Sequence, residues 1–337
     1  MTPGTDPSAP PTARFNIVAI GGGTGLAALL SGLKRCVGRE IAELAAIVAV
    51  TDDGGSSGRL RRDFGVPPPG DIRNCLVALA DDEDLLARVF QFRFAGGEGL
   101  TGHSFGNLFL AALTELTGDF HQAILTAERI LSVRGRILPA TLADLALRGH
   151  GRSGTVFAGE SAIGRAGEPL ERIELVPAAP PAFPPAIEAI AAADLVLLGP
   201  GSLYTSVLPN LLIPEIRAAL AATPATVALV MNLMTQPGET DGMDALEHFA
   251  AIERHAGPGA IDAVLAHHGG FGEERLAAYR QQGAAPVEID RAPLARRGIE
   301  LLEADLAAST GLVRHDPAKL ARSIVALVRR GAGAIAR

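Results

Sequence analysis

Tryptophan is absent from this 337-residue chain, aromatics make up only 4% of it, and it has two cysteines. Without aromatic platforms, base stacking of the kind used by single-strand nucleic-acid binders is not a main mode of action. A net charge of −7 and a pI of about 5.7 give no attraction to nucleic acid or to an anionic membrane surface. Cys36 and Cys75 form neither a metal-ligand spacing nor a disulfide framework, and read as reduced thiols in a cytoplasmic protein. No apolar run reaches the roughly 18 residues that a membrane span needs. Residues 1–13 (MTPGTDPSAPPTA) lack an apolar core and read as a disordered tail, not a signal peptide.

What is present is alternation. Residues are 48% hydrophobic and 20% charged, which suits a large buried core. Short apolar runs are followed by helix-forming stretches: Phe15–Ile20 then Leu26–Cys36, Ile47–Val50 then four helices between Asp71 and Leu131. Asp71 is the expected N-cap of the first of these four. Residues 133–177 change character. Short β-like pieces (RILPATL, TVFAG, RIELVP) sit between Gly and Pro residues there. Alternation resumes with strands at Leu195–Leu198, Thr226–Met231, Ile261–Ala266 and Pro286–Ile289, and a last helix at Lys319–Arg330. The pattern predicts an α/β, Rossmann-like three-layer sandwich with a mainly parallel sheet. Residues 14–132 and 178–332 form its two parts, and 133–177 a small β-rich excursion.

Ligands of such sheets bind beyond the C-terminal strand ends. Four strand ends here carry polar, glycine-rich loops. The first, Gly21–Gly25, ends the run NIVAIGGGTG and precedes a helix, so Gly22, Gly23, Thr24 and Gly25 offer backbone N–H groups to a phosphate. Gly23, Gly25 and Ala28 fit the GxGxx(G/A) spacing. The second is TDDGGSSG at 51–58. Asp52 and Asp53 would read ribose hydroxyls or hold a Mg²⁺, the one cofactor the chain suggests, with Asp52 its first ligand. Gly55, Ser56 and Ser57 add donors. Asp-Gly is also a common turn former. Arg73 and Asn74, in PPPGDIRN, follow closely.

GHSFGN at 102–107 opens a helix. Ser104 suits the N-cap, His103 a phosphate donor, and Asn107 lies one turn on. A Ser/His catalytic pair is not expected from neighbours in sequence. Gly199–Ser202, with Gly201, repeats the phosphate-cradle pattern. Asn232 to Gly242 supplies Thr235, Gln236, Thr240 and Asp241. The His267–His268 pair reads as structural or rim-lining.

These loops, from GGGTGL at 21–26 through DDGGSSGRLR, PPPGDIRN, GHSFGN, SVRGRILPAT and GPGSLYTSVLPNLL to MTQPGETDG at 234–242, resemble the YvcK group of gluconeogenesis factors. That group is similar to the CofD superfamily of 2-phospho-L-lactate transferases. The resemblance spans about residues 15–320. It implies a cytoplasmic protein that binds UDP-N-acetylglucosamine and acts in cell-wall homeostasis and cell shape during gluconeogenic growth. It places Arg314, in VRHD, against a diphosphate. Met243 stands where the group often has an aromatic and would cover a uracil face by dispersion contacts.

Three readings follow from these residues together with the resemblance. One is a UDP-sugar-binding regulator without turnover, acting on an unidentified protein partner. The second is a CofD-like transferase of a phosphorylated group with Mg²⁺ on Asp52 or Asp53. The third, a nicotinamide dehydrogenase, fits worst. Asp52 lies further from the turn than the usual acid, about 20 residues on. Self-association is left open.

Overall fold

In the computed structural model, residues 14–81 and 83–335 are described, so the expected N-terminal tail lies outside them. Seven strands form one all-parallel sheet: β1 (Phe15–Gly21), β2 (Ile41–Val48), β3 (Arg136–Pro139), β7 (Leu195–Leu198), β8 (Thr226–Val230), β9 (Ala263–His267) and β10 (Glu300–Ala304). Their order is β10-β9-β8-β7-β1-β2-β3. Three further strands, β4 (Ala146–Gly151), β5 (Val156–Ala158) and β6 (Leu170–Val176), make a separate antiparallel sheet in the order β5-β4-β6. The α/β architecture read from the sequence is the one observed.

Periodicity explains the layers. Along β1, Ile17 and Ala19 enter one core while Val18 and Ile20 enter the other. Along β7, Leu195 and Leu197 face the first and Val196 and Leu198 the second. Side chains alternate across a strand, so a continuous apolar run is what burial on both faces requires. One face is covered by α1 (Gly23–Leu33), α3 (Gly70–Leu79), α6 (Phe120–Ile130) and the Pro317–Ile335 helix. α2 (Gly55–Phe64), α4 (Glu83–Gln91) and α5 (Phe105–Thr117) complete the N-terminal helices. The other face is covered by the Pro184–Ala191, Pro214–Ala222 and Ala245–Ala256 helices, with β4 and β6 of the small sheet packed beside them.

From β1 the chain runs outward to β2 and β3, then returns to β7 on the opposite side of β1 and continues to β8, β9 and β10. The β1/β7 boundary is therefore the switch point, where connections diverge and leave a crevice at the strands' C-terminal ends.

Several local expectations are corrected. Asp71 does not cap α3: Pro69 holds that position and Asp71 lies in the first turn. Residues 55–58 are not an open loop but the first turn of α2. RILPATL is not part of the excursion, because β3 pairs with β2 in the main sheet. Pro286 makes only an isolated bridge to Met234 instead of a strand. Among the described residues, no helix is long and apolar enough to cross a membrane.

Candidate functional site

The first glycine turn leads straight into α1. Gly22 is its extended N-cap without a side-chain cap bond, and Gly23 takes φ +65°, a conformation glycine adopts freely. Packing explains the other two glycines. A Cβ on Gly22 would collide with Oδ2 of Asp71, and one on Gly25 would stand 2.5 Å from the Pro200 carbonyl oxygen. The loops after β1 and β7 thus touch backbone to backbone. A third strand end joins them: Asn232 Oδ1 accepts from the Gly201 N–H at 3.2 Å, and Asn232 Nδ2 donates to the Gly201 carbonyl at 2.8 Å. Gln236 Nε2 donates to Ser202 Oγ at 2.7 Å.

Between these loops lies a cleft of about 310 Å³ at the switch point. Nine of the sequence-predicted residues line it: Gly22, Gly23, Thr24, Gly25, Gly201, Ser202, Asn232, Gln236 and Arg314. Arg314 is exposed and its guanidinium has no partner among the described residues, which leaves it available to an anion. Sequence reasoning missed His315, beside it in the cleft wall. Burial drives the His315 imidazole down to about 4, and its hydrogen bond to the Met231 carbonyl only partly offsets this. It is neutral at physiological pH, with Nε2 unpartnered among the described residues. A neutral histidine that donates through Nδ1 presents an acceptor at Nε2.

Two carboxylates of the protein itself occupy the glycine turns. The Asp71 carboxylate accepts the Gly23 N–H. The buried Glu239 Oε1 accepts the N–H groups of Tyr204 (2.8 Å) and Thr205 (3.0 Å), just past Gly199–Ser202. Both carboxyls are pushed up by burial and held back by these N–H bonds. Glu239 was not foreseen. An acid in a turn between Gly and Thr looks like a turn former, and only the fold brings it to the helix start at 203. The second turn is therefore less open to a phosphate than its sequence suggests.

Ten other predicted residues do not line the cleft. The Asp52 Oδ1 accepts from the Gly54 N–H at 2.9 Å, and Asp53 Oδ1 from the Ser161 N–H at 2.9 Å. Gly55 opens α2. Ser56 Oγ meets His103 Nδ1 at 3.0 Å. Arg73 is buried and donates to Ser104 Oγ (2.8 Å), Asn107 Oδ1 (3.0 Å) and Asn74 Oδ1 (2.8 Å). Asn107 Nδ2 donates to Ser57 Oγ at 3.2 Å. Ser104 is the N-cap of α5, accepting from the Asn107 N–H. The adjacent His103 and Ser104 do not form a Ser/His pair. This network consumes most of the donors read as ligand contacts, and it positions α2, α3 and α5 against one another.

The fourth loop winds on itself. Thr235 Oγ1 accepts from the Ala285 N–H, Thr240 Oγ1 from the Gln236 N–H, and Asp241 Oδ2 from the Gly238 N–H. Asp241 and Met243 line a separate 130 Å³ cavity with Tyr204, Arg152 and Arg254. Met243 is not brought to the glycine cleft. His267 is held by the Leu306 N–H and stacks on Phe271 at 5.0 Å.

Among the described residues no cluster of three or more His, Cys, Asp or Glu side chains is arranged to hold a metal ion. Mg²⁺ needs fewer, since it keeps waters and takes phosphate oxygens. Asp52, whose charge acts on the Asp71 carboxyl, is the residue that would hold it. Burial raises the Asp71 carboxyl to about 6, and the Asp52 charge adds to the rise. A divalent cation would relieve that repulsion.

The raised value has a pH signature. A carboxyl with a higher pKa folded than unfolded holds its proton more tightly when folded, so its stabilising contribution is present in acid. That contribution fades as the pH rises from about 4 through 6. The unfolding free energy should fall by up to about 3 kcal/mol across that window on account of Asp71. Asp71→Asn should flatten this slope in urea titrations at pH 4.5 and 7; an unchanged slope would show that Asp71 is not the group responsible.

Residues 17–307 match the family described as 2-phospho-L-lactate transferase CofD. A putative gluconeogenesis factor of Nostoc sp. is 50% identical over 92% of this chain and 68% of its own length. The gluconeogenesis factor of Bacillus subtilis is 44% identical over 93% of this chain and 98% of its own. A crystal structure of a Bacillus halodurans protein superposes with a TM-score of 0.88 at 42% identity, over 94% of this chain and all of that one. The chain belongs to the CofD family, in its gluconeogenesis factor branch.

Proposed function

We propose that the protein binds a UDP-sugar, UDP-N-acetylglucosamine foremost, as a regulatory ligand in the cytoplasm. It reports nucleotide-sugar supply to a protein partner in cell-wall homeostasis and cell shape during gluconeogenic growth. One observation carries this reading. A helix N-terminus with a glycine turn, the Gly201–Asn232 clip and the unpartnered Arg314 converge on a single cleft at the switch point. The Thr24 and Gly25 N–H groups beside the one that Asp71 holds, a helix dipole and a guanidinium suit a diphosphate. His315 Nε2 suits a donor on the base or sugar.

A second reading, a Mg²⁺-dependent transferase, is favoured by the Asp52–Asp71 pair behind the first turn. The two readings separate in one set of measurements. Millimolar UDP-N-acetylglucosamine should raise the melting temperature, with about 2.7 kcal/mol of stabilisation at 100-fold Kd. Chromatography should recover the nucleotide intact after long incubation with or without Mg²⁺. Asp52→Asn should change affinity by roughly tenfold or less, about 1.4 kcal/mol. No melting shift, where another nucleotide gives one, defeats UDP-sugar binding. Multiple-turnover release of UDP or UMP that needs Mg²⁺ and Asp52 replaces the regulator by the transferase.

A further inference from the structure

At the far end of α1 from the glycine turn lies a second groove, of about 350 Å³, between that helix's last turn and the Pro317–Ile335 helix. The two helices cross closely, because Gly32 has no side chain and a Cβ there would collide with the Pro317 carbonyl oxygen. Arg35 and Arg39 come from one wall, Arg322 and Arg329 from the other, and all four are exposed. Arg39 has a weak pairing with Glu40 at 3.6 Å. The guanidiniums of Arg35, Arg322 and Arg329 make no hydrogen bond or ion pair with any described residue. The floor is apolar, with Ala318, Ala321 and Val325 between the arginines.

We infer that this groove docks an acidic segment of a partner protein. Four guanidiniums facing one groove repel each other, and among the described residues they are met only by Glu40. They stand on a molecule whose net charge is −7, so the groove inverts the sign of its surroundings. An apolar centre rimmed by arginine is the anatomy of a protein interface, and arginine is over-represented among its energetic anchors. A bidentate guanidinium–carboxylate pair gives direction as well as attraction. A membrane surface fits less well. The apolar face of the 317–335 helix (Leu320, Ile324, Leu327, Val328) is already buried in the core and cannot enter lipid.

Fluorescence anisotropy of the full chain tests this, with a labelled amphipathic peptide of glutamates and leucines and its lysine counterpart as probes. The acidic peptide should bind saturably, more weakly at high salt, and the lysine peptide should not bind. The double variant Arg322→Glu/Arg329→Glu should lower affinity at least roughly tenfold, about 1.4 kcal/mol. Arg296→Glu, an exposed charge elsewhere, should change nothing. Calorimetry with UDP-N-acetylglucosamine on the same variants tells a damaged fold from a lost docking site. Absence of binding, or equal loss in Arg296→Glu, overturns the inference. So does Arg322-dependent pelleting with phosphatidylglycerol vesicles without peptide binding, which would assign the groove to lipid.

Discussion

Gly25→Ala should reduce UDP-N-acetylglucosamine affinity by at least roughly 100-fold, about 2.7 kcal/mol. The added Cβ would stand 2.5 Å from the Pro200 oxygen and 2.8 Å from its carbonyl carbon. Both atoms are backbone, so no side chain can swing away, and the loops after β1 and β7 must part. Those loops are opposite walls of the cleft, and a displacement of under 1 Å is enough to lose positioned contacts. Folding stability should fall too, by about 1–3 kcal/mol, the usual penalty for overpacking. Gly23→Ala is the informative control. Its φ of +65° makes a side chain strained, by about 1–2 kcal/mol. Yet the nearest atom its Cβ would meet is Ser206 Oγ at 3.6 Å. Gly23→Ala should therefore destabilise with a smaller loss of binding. Calorimetry and thermal melts on both variants check the contrast, and equal loss of affinity in the two would show that loop separation is not what matters.

The contrast also marks how far the sequence alone reaches. The NIVAIGGGTG run reveals β1, its turn and α1 because all three signals are local: an apolar run, glycines, then helix formers. The strand at 195–198 is found as accurately, since LVLL is buried on both faces. Elements whose reason is non-local are missed. α2 begins at the glycines and serines of GGSSG, poor helix formers, and is held by the Ser56–His103 and Asn107–Ser57 bonds across 47 and 50 residues. β10 (ELLEA) is half-exposed at the sheet's edge and lacks the apolar continuity that identifies inner strands. β3 reads as part of the excursion because its pairing with β2 is invisible in four residues.

The same division runs through the site. Residues whose role is backbone approach, Gly22 to Gly25 and Gly201, are legible because glycine after a strand has few other reasons to be there. Residues whose role depends on what lies opposite are not. Arg73 looks like a ligand cation beside Asn74, but Ser104, Asn107 and Asn74 already hold its guanidinium. Asp71 and Glu239 sit at N–H groups that a phosphate would otherwise contact, and nothing near them in sequence announces this. Met243 follows the MTQPGETDG motif, yet its place in the cavity it shares with Tyr204 is set by the winding of the 235–242 turn. His315 hides next to Arg314, whose charge draws the attention.

Arg314→Ala should lower UDP-N-acetylglucosamine affinity on the order of 100-fold, about 2.7 kcal/mol, while leaving the fold intact. The guanidinium lines the cleft, is exposed, and has no partner among the described residues, so removing it leaves no buried group unsatisfied. Stability should change by no more than about 0.5 kcal/mol, as for other surface substitutions. The loss in binding reflects a charge-assisted contact to phosphate, and such contacts exceed neutral hydrogen bonds roughly twofold. Three measurements give this content. Arg314→Lys keeps the charge but not the planar fork, so its affinity should fall between wild type and alanine. The deficit of Arg314→Ala should shrink as salt rises, because an exposed charge is screened beyond about 10 Å at 0.1 M. Uridine, which has no phosphate, should bind wild type and Arg314→Ala alike. If uridine binding also drops, Arg314 acts on the base or on loop order, and the diphosphate must be sought elsewhere in the cleft.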